Sequence, residues 1–153
     1  MNRASIKLIV AVLGFLCAQA YWQISSAGAC LFTAPAGWNP ATTRWYGECR
    51  NGYAEGLGVL KEHQQQKVLR FFFGRLEHGE LKLGVIDQPE GFTAGEFAKG
   101  APVPVTDAQQ TVSAFAEAEK AANEAANRYR KAGNAEAAKF YAAKAKTLSE
   151  QLD

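Results

Sequence analysis

The sequence is poor in the side chains that most enzymes use as nucleophiles, bases or metal ligands. Its 153 residues include 2 histidines and 3 cysteines, and the histidines, His63 and His78, lie far apart with no cysteine nearby. No Gly-x-Ser-x-Gly, P-loop or dinucleotide-binding motif occurs in it. A zinc site needs about four Cys, His or carboxylate ligands at close spacing. We therefore predict a protein that is not an enzyme and that has neither a metal nor a cofactor.

Carboxylates are the remaining candidates for acid–base chemistry. Paired carboxylates are the machinery of glycoside hydrolysis. In the glycine-rich middle of the chain, however, they fall at positions where an exposed, solvated charge is the simpler interpretation. A carboxylate-dependent hydrolase is therefore the least favoured alternative. The residues concerned are Glu48, Glu55, Glu77, Glu80 and Glu96.

Long apolar stretches are also scarce, and the one at the N-terminus has the form of a secretory signal. Two basic residues precede an apolar run over 8–17, and a small-x-small sequence follows at 18–20. We predict a signal peptide over 1–20 and a mature protein that begins at Tyr21, periplasmic or secreted. An uncleaved membrane anchor is the rival, although a spanning helix needs about 20 apolar residues. A lipobox-like sequence at 27–30 is a third alternative, but it lies far from the apolar run.

The mature chain has no excess of charge of either sign. The full sequence carries 17 Lys and Arg against 15 Asp and Glu. Removal of the predicted signal takes away two basic residues and no acidic one, which leaves 15 of each. The charges are interspersed without a basic cluster. Because nucleic-acid binding needs a basic surface, nucleic acid is excluded as a partner. Membrane association is expected only if the signal stays uncleaved.

The cysteines predict one disulfide. Cys17 is lost with the predicted signal, which leaves Cys30 and Cys49. An even pair in an exported protein is typical of a disulfide. A loop of this size stabilises the fold by about 3 kcal/mol in the chain-entropy model.

Composition divides the mature chain into three segments. Residues 21–44 are small, polar and proline-bearing, and we predict an irregular segment tied down by Cys30. Residues 45–103 are rich in glycine and aromatics and predict β-hairpins. Residues 107–153 are alanine-rich with interspersed charges and predict helices. The predicted fold class is therefore α+β, with a small antiparallel sheet followed by a helical hairpin.

Two stretches carry the clearest strand signals. In residues 68–73 alternate side chains face opposite sides, and aromatics on both sides predict a strand mostly buried on both faces. Asn51-Gly52 is the strongest two-residue hairpin signal in the chain. It predicts a turn between a strand that ends at Arg50 and a partner strand over 56–60.

The C-terminal segment is predicted to form two helices. Asp107 is a suitable N-cap, Gly133 suits a left-handed C-cap, and a second helix begins near Ala135. One long helix through Gly133 is the alternative, at a cost of about 1 kcal/mol relative to alanine. We expect an apolar stripe to pack against the sheet, with a homodimer through the stripe as the alternative. The stripe comprises Val112, Phe115, Ala122, Ala126, Tyr129, Phe140, Tyr141, Ala145, Leu148 and Leu152.

The glycines of the middle segment recur with aromatics in a hairpin-like pattern. Trp45 and Gly47 are followed by Gly52, Gly56 and Gly58. This stretch resembles the MORN repeat, whose pattern is aromatic-x-Gly-x-x-x-x-Gly-x-x-x-Gly-x-Gly. In the second unit Leu83 replaces the third glycine, and a third unit is truncated. Further glycines of these two units are Gly74, Gly79, Gly95 and Gly100.

The resemblance covers about residues 45–103 and implies consecutive β-hairpins stacked into a small twisted sheet. MORN arrays serve as scaffolds, dimerisation surfaces and in some cases lipid-headgroup binders, and the motif brings no catalytic residues. The helical segment is more faintly similar to a tetratricopeptide repeat, at Ala126, Tyr129 and Gly133 among other positions. A single unit of that kind cannot bury itself as an array does.

Together these observations predict a non-catalytic envelope protein that acts as a binding or scaffold module for a protein partner. The alternative is an inhibitor or immunity factor against a secreted hydrolase. Such a protein needs a rigid protruding loop, for which residues 62–67 are the candidate.

Overall fold

The structure is a computed structural model that describes residues 29–152. The predicted signal peptide over 1–20 and the predicted N-terminus at Tyr21 lie outside this range. A short 3-10 turn at Pro40–Thr42 leads into the first strand. The elements are β1 (Thr43–Arg50), β2 (Tyr53–Gln64), β3 (Lys67–Glu77), β4 (Glu80–Gln88), β5 (Gly91–Ala98), β6 (Ala101–Pro102), α1 (Ala108–Lys131) and α2 (Ala135–Ser149).

The strands form one open antiparallel sheet in the order of the chain, from β1 to β6. Each strand pairs with the next through a tight turn, so that the sheet is a simple meander. Both helices follow the sheet in sequence. The predicted α+β class, with consecutive hairpins and then a helical pair, is confirmed.

Three of the hairpin turns share one backbone conformation. Asn51 and Gly52 have φ values of 52° and 81°, the left-handed pair that a type I′ turn requires. The residues at 78–79 and at 99–100 also combine a left-handed non-glycine with a left-handed glycine. The predicted hairpin at Asn51-Gly52 is therefore confirmed, although its second strand is β2 over Tyr53–Gln64 and is longer than the 56–60 predicted. Because these turns alternate with those at 65–66 and 89–90, all three lie at the same end of the sheet.

An irregular segment, which we call the strap (residues 30–38), runs along these three turns. Backbone N–H groups of the strap donate to the carbonyl oxygens of the turn glycines at 2.8, 2.9 and 2.8 Å, in the pairs Leu31–Gly52, Thr33–Gly79 and Ala36–Gly100. A disulfide joins Cys30 of the strap to Cys49 near the end of β1, with 5.6 Å between the Cα atoms. The predicted disulfide is confirmed, and the sheet holds the strap. Of the irregular segment predicted over 21–44, residues 21–28 lie outside the described range and residues 43–44 belong to β1.

The sheet lies between two apolar layers. The face toward the helices is built on Val59, Phe73 and Val85 with the alanines of α1, and the opposite face lies under the strap. Phe72 and Phe73 point to opposite faces and are fully buried, as the alternation in 68–73 predicts. Leu69 is 38% exposed, so burial on both faces begins only further along β3. The strap-side core contains Trp38, Ala54, Leu60, Phe72, Leu76, Leu81, Ile86 and Phe97.

The helices form a hairpin that covers the sheet. The Asp107 carboxylate accepts a hydrogen bond from the Gln109 N–H, and α1 ends before Gly133, whose φ is 78°. Asn134 then caps α2, so two helices are confirmed and one long helix is wrong. α1 packs across β2, β3, β4 and β5, while α2 packs mainly on α1. In residues 29–152 neither helix is long and apolar enough to cross a membrane.

Most of the predicted helical stripe lies in this interface. Phe115, Tyr141 and Leu148 are buried against the sheet or between the helices. Val112 and Phe140 are exceptions, with 42% and 44% of their surface exposed. For these two residues the stripe prediction is wrong. Helical spacing identifies the residues that share one face of a helix, but it does not show which of them lie beyond the edge of the contact with the sheet.

Trp45 explains two glycines of the first repeat-like unit. Its indole ring lies over the backbone at Gly47 and Gly58, where a Cβ atom would collide with the ring. The indole N–H donates to the carbonyl of Glu48 at 2.9 Å. The aromatic and glycine positions of this unit therefore serve the packing of Trp45 across β1 and β2.

Candidate functional site

Lys61 is a buried lysine at the boundary between the sheet and the helical pair. It follows Leu57 and Val59 at alternate positions of β2, on the face that packs against the helices. Only 9% of its surface is exposed. Lysine is almost never buried to this extent without a partner of opposite charge.

Three tyrosines surround the ammonium group. Lys61 Nζ lies 3.8 Å from the ring centroid of Tyr46, 5.1 Å from that of Tyr141 and 5.5 Å from that of Tyr129. It also donates a hydrogen bond to the Tyr129 hydroxyl at 3.1 Å. Each ring face attracts the cation by about 0.5–2 kcal/mol, depending on how far it is desolvated. We call these four residues the tyrosine cage.

The cage holds a positive charge that no carboxylate neutralises. Among residues 29–152 Lys61 forms no ion pair. Burial lowers the pKa of Lys61, and the neighbouring Tyr46 opposes this shift. Burial raises the pKa of Tyr141, and Tyr129 and Tyr46 raise it further, so Tyr141 stays neutral. The cage therefore places a cation among tyrosine hydroxyls and ring faces.

A groove opens on the β1 side of the cage. This edge groove has a volume of about 500 Å³. One wall is formed by β1 and the other by the C-terminal end of α1. The lining residues include Trp45, Tyr46 and Gly47 on the first wall and Arg128, Tyr129 and Ala132 on the second. Its surface is largely apolar. β1 is the first strand of the open sheet, so the groove runs beside a strand edge.

Arg128 brings a second cation to the edge groove. Its Nη2 atom donates to the Leu57 carbonyl and to the Glu124 carboxylate, each at 3.2 Å. Its Nη1 atom is buried and has no hydrogen-bond partner in the structure. An unsatisfied buried donor costs about 1–3 kcal/mol, and an acceptor from a bound group would remove that cost.

A second cavity opens on the other side of Tyr129. This lysine recess has a volume of about 480 Å³, with Lys61 as one of its lining residues and Phe71, Phe140 and Tyr141 among its aromatic walls. Lys144 also lines the recess, but its ammonium pairs with Asp87 at 2.6 Å. Of these two lysines, Lys61 is the one that has no counter-ion in the described part of the chain.

A different buried charge, Glu62, faces the strap. Only 4% of Glu62 is exposed, and its carboxylate pairs with Arg70 at 2.5 Å and accepts the Asn39 N–H at 2.7 Å. Burial raises the pKa of Glu62, but the hydrogen bonds from Arg70 and Asn39 and the Arg70 charge outweigh burial and lower it overall. Arg70 also donates to the Gly37 carbonyl at 3.1 Å. This network ties the strap to β2 and β3.

The structure keeps the two histidines apart. His63 lies in β2 and is partly buried, with Nδ1 at 3.3 Å from the Thr42 carbonyl oxygen. His78 lies in a turn at the opposite end of β2, with its ring stacked on Tyr53 at 3.7 Å between centroids. Neither lines the edge groove or the lysine recess.

The candidate carboxylates occupy the turn end of the sheet. Glu48 and Glu55 are cross-strand partners, as are Glu77 and Glu80. Glu55 accepts the His78 N–H at 2.7 Å, and Glu80 accepts the Thr33 hydroxyl at 2.6 Å. These two are half-buried, so the expectation of exposed positions is wrong for them. Within the described part of the chain no group of three or more His, Cys, Asp or Glu side chains is arranged to hold a metal ion.

The tyrosine cage is absent from the sequence-based expectations, although one signal points to Lys61. It occupies the alternate-residue position after Leu57 and Val59, so the strand pattern places a lysine in phase with the core. Tyr46, Tyr129 and Tyr141 come from three separate elements, and no spacing in the chain brings them together.

Comparison with protein-family models, with curated proteins and with solved structures finds no match to this chain. The MORN resemblance of residues 45–103 therefore remains an interpretation of their pattern. A fold alone does not imply a function, so the features that bear on function are the two cavities and the buried charges beside them.

Proposed function

We propose that the mature chain is a non-catalytic binding module of the cell envelope, periplasmic or secreted. It receives an extended segment of a protein partner along the outer edge of β1. The observation that carries this proposal is the edge groove. It combines an open strand edge, aromatic walls and a buried arginine nitrogen that has no hydrogen-bond partner within residues 29–152. The disulfide supports an oxidising compartment.

The strand edge supplies the main-chain contacts. Among residues 29–152 no strand pairs with the outer side of β1. Unpaired N–H and C=O groups of an edge strand are a template for another chain, and strand addition is a common mode of peptide recognition. Trp45 and Tyr46 line the groove beside this edge, where they can contact alternate side chains of the added segment.

Arg128 supplies selectivity for charge. Its Nη1 atom has no hydrogen-bond partner among residues 29–152. A segment with a carboxylate side chain at the position opposite Arg128 supplies the missing acceptor. We therefore expect an acidic residue at this point of the partner.

The two alternatives have less support from the geometry. Residues 62–67 do not form a protruding inhibitory loop, because β2 extends to Gln64 and β3 begins at Lys67 with a two-residue turn between them. Glu55 and Glu80, which a hydrolase would need as free acids or bases, are engaged in hydrogen bonds that fix turns and strap.

Site-specific photo-crosslinking tests the proposal. A benzophenone amino acid is placed at Ala132, on the exposed wall of the edge groove, in the full-length chain in cells of its source organism. The control position is Gln109, exposed at the opposite end of the same helix. We expect a discrete protein adduct from position 132 that is absent from position 109 and is weakened by Arg128→Gln.

Equal adducts from both positions, or none from position 132, would contradict the proposal. An adduct from position 132 that survives Arg128→Gln unchanged would remove the expectation of an acidic residue in the partner.

A further inference from the structure

The lysine recess has the features of a small-molecule site that is separate from the edge groove. It opens between β3 and α2, whereas the edge groove lies beside β1, and Tyr129 lines both. Its volume of about 480 Å³ is within the range of about 300–1,000 Å³ that is usual for ligand pockets.

The charge of the recess is positive and incompletely hydrogen-bonded. An ammonium group has three N–H donors, and in the described chain Lys61 directs one of them to a protein acceptor, the Tyr129 hydroxyl. The other titratable groups facing Lys61 are Tyr46 and Tyr141, and burial raises the pKa of Tyr141. Lys144, further along the recess, is matched by Asp87.

The walls of the recess are apolar and aromatic. The rings of Phe71 and Phe140 lie with centroids 5.8 Å apart and planes tilted by 37°, and Tyr129 and Tyr141 stack at 5.3 Å. Phe140 is 44% exposed, so one wall is open to solvent and to an entering group. The recess therefore combines the buried Lys61 ammonium with aromatic walls, and the Asp87-paired Lys144 ammonium lies 5.4 Å and 5.7 Å from the ring centroids of Phe71 and Phe140.

We propose that the lysine recess binds a small amphipathic monocarboxylate. Its carboxylate pairs with the Lys61 ammonium beside the Tyr129 hydroxyl, and its aromatic or branched apolar body packs against Phe71 and Phe140. The bound anion supplies the counter-charge that residues 29–152 do not provide at this position. The proposal is independent of the protein partner at the edge groove, because it concerns a different cavity.

The test compares an acid with a neutral molecule of the same shape. 3-Phenylpropionate and 3-phenylpropan-1-ol are titrated into the mature protein and followed by the amide NMR signals of β3 and α2. We expect the acid to bind at least about tenfold more tightly, since a charge-assisted hydrogen bond contributes about 1.5–3 kcal/mol. In Lys61→Met the two probes should bind with equal affinity, while Lys139→Met, an exposed change of the same charge on α2, should leave the ratio unchanged.

The wild-type protein also gives a measurement that needs no variant. Affinity for the acid should fall as the pH rises through the lowered pKa of Lys61, while affinity for the alcohol stays constant. A tripeptide that ends in phenylalanine with a free carboxylate distinguishes a peptide C-terminus from a small acid.

Equal binding of acid and alcohol by the wild type, or a preference that survives Lys61→Met, would overturn the proposal. A tripeptide that binds more tightly than the small acid would overturn it in favour of a peptide site. Shifts confined to the edge groove, or no saturable binding of the acid, would show that the recess is not a carboxylate site.

Discussion

At the scale of single residues, the two neighbours Lys61 and Glu62 solve the problem of a buried charge in different ways. Glu62 has a cation and a backbone N–H as partners, whereas Lys61 has ring faces and one hydroxyl. Both side chains are more than nine-tenths buried and point to opposite faces of β2. Their contributions to stability should therefore differ in sign at neutral pH.

Lys61→Met is expected to stabilise the protein at pH 7 by about 1 kcal/mol, because replacement of a buried ion by an apolar residue of similar size is often neutral or favourable. The folded state depresses the Lys61 pKa, so the unfolded state binds more protons between that value and about 10.4. The free energy of unfolding of the wild type therefore increases as the pH rises from the folded pKa of Lys61 to about 10.4. Urea melts at several pH values should show the advantage of the variant shrinking toward pH 10.

Lys139→Met is the control for this series, since Lys139 is exposed on α2. A lower stability of Lys61→Met than of the wild type at pH 7 would show that the cation–π contacts outweigh desolvation.

Glu62→Gln is expected to destabilise the protein by roughly 3 kcal/mol at pH 7, because it leaves Arg70 without its counter-ion. The pKa of Glu62 is lowered by folding, so its contribution is present above about pH 4.3 and is lost as pH falls through the folded value. Denaturant melts of variant and wild type should therefore converge in acid. Glu96→Gln, at an exposed position of β5, should change little, and a constant difference down to pH 2 would count against the ion pair.

At the scale of elements, the strap is held by backbone contacts to glycine turns. Gly52 and Gly79 have nearly the same φ, 81° and 79°, yet their surroundings differ. A Cβ atom at Gly52 meets open space, whereas one at Gly79 would lie 2.7 Å from the Leu31 carbonyl oxygen. The pair separates the cost of the turn conformation from the cost of displacing the strap.

Gly52→Ala should cost about 1–2 kcal/mol through its left-handed conformation alone. Gly79→Ala should cost more, because the strap must also move away from the turn. The measurement is the free energy of unfolding, combined with hydrogen exchange at the Thr33 N–H, which donates to Gly79. Equal destabilisation, with unchanged exchange at Thr33, would mean that the strap adapts without cost.

Local sequence signals predict the strands, turns and helices well. They do not predict features that depend on contacts between residues far apart in the chain. Asn51-Gly52 and Gly133 carry their conformations in the residues themselves, so the first turn and the break between the helices follow from the sequence. The strap follows no local pattern, since it bonds to glycines far along the chain. The tyrosine cage was missed for the same reason, because a lysine on β2 meets rings from β1, α1 and α2 only after folding.

At the scale of the whole molecule, a single sheet has both faces covered by different parts of the chain. The helices cover the face with Val59, Phe73 and Val85, and the strap covers the face with Phe72. A sheet of this size needs both layers, because an exposed apolar face of several large side chains is avoided by soluble proteins.

A chain that ends at Val105 should lose solubility, because the helix-side core would face water. We expect it to bind a hydrophobic dye and to aggregate, whereas the intact protein does neither in light scattering and fluorescence. The covalent link between Cys30 and Cys49 should persist in the shortened chain, which separates loss of the helices from loss of the strap. A monomeric, equally stable shortened chain would show that the helices are an independent arm.

The path of the strap has a consequence for the order of folding events during synthesis. The strap precedes the sheet in the chain, but its last contact, from Ala36 to Gly100, needs the final turn of the sheet. The first part of the domain to emerge therefore completes its docking only after the last strand has been delivered. The strap can therefore dock fully only on a complete sheet, and a chain interrupted before Gly100 would leave part of its N-terminal segment open to proteases.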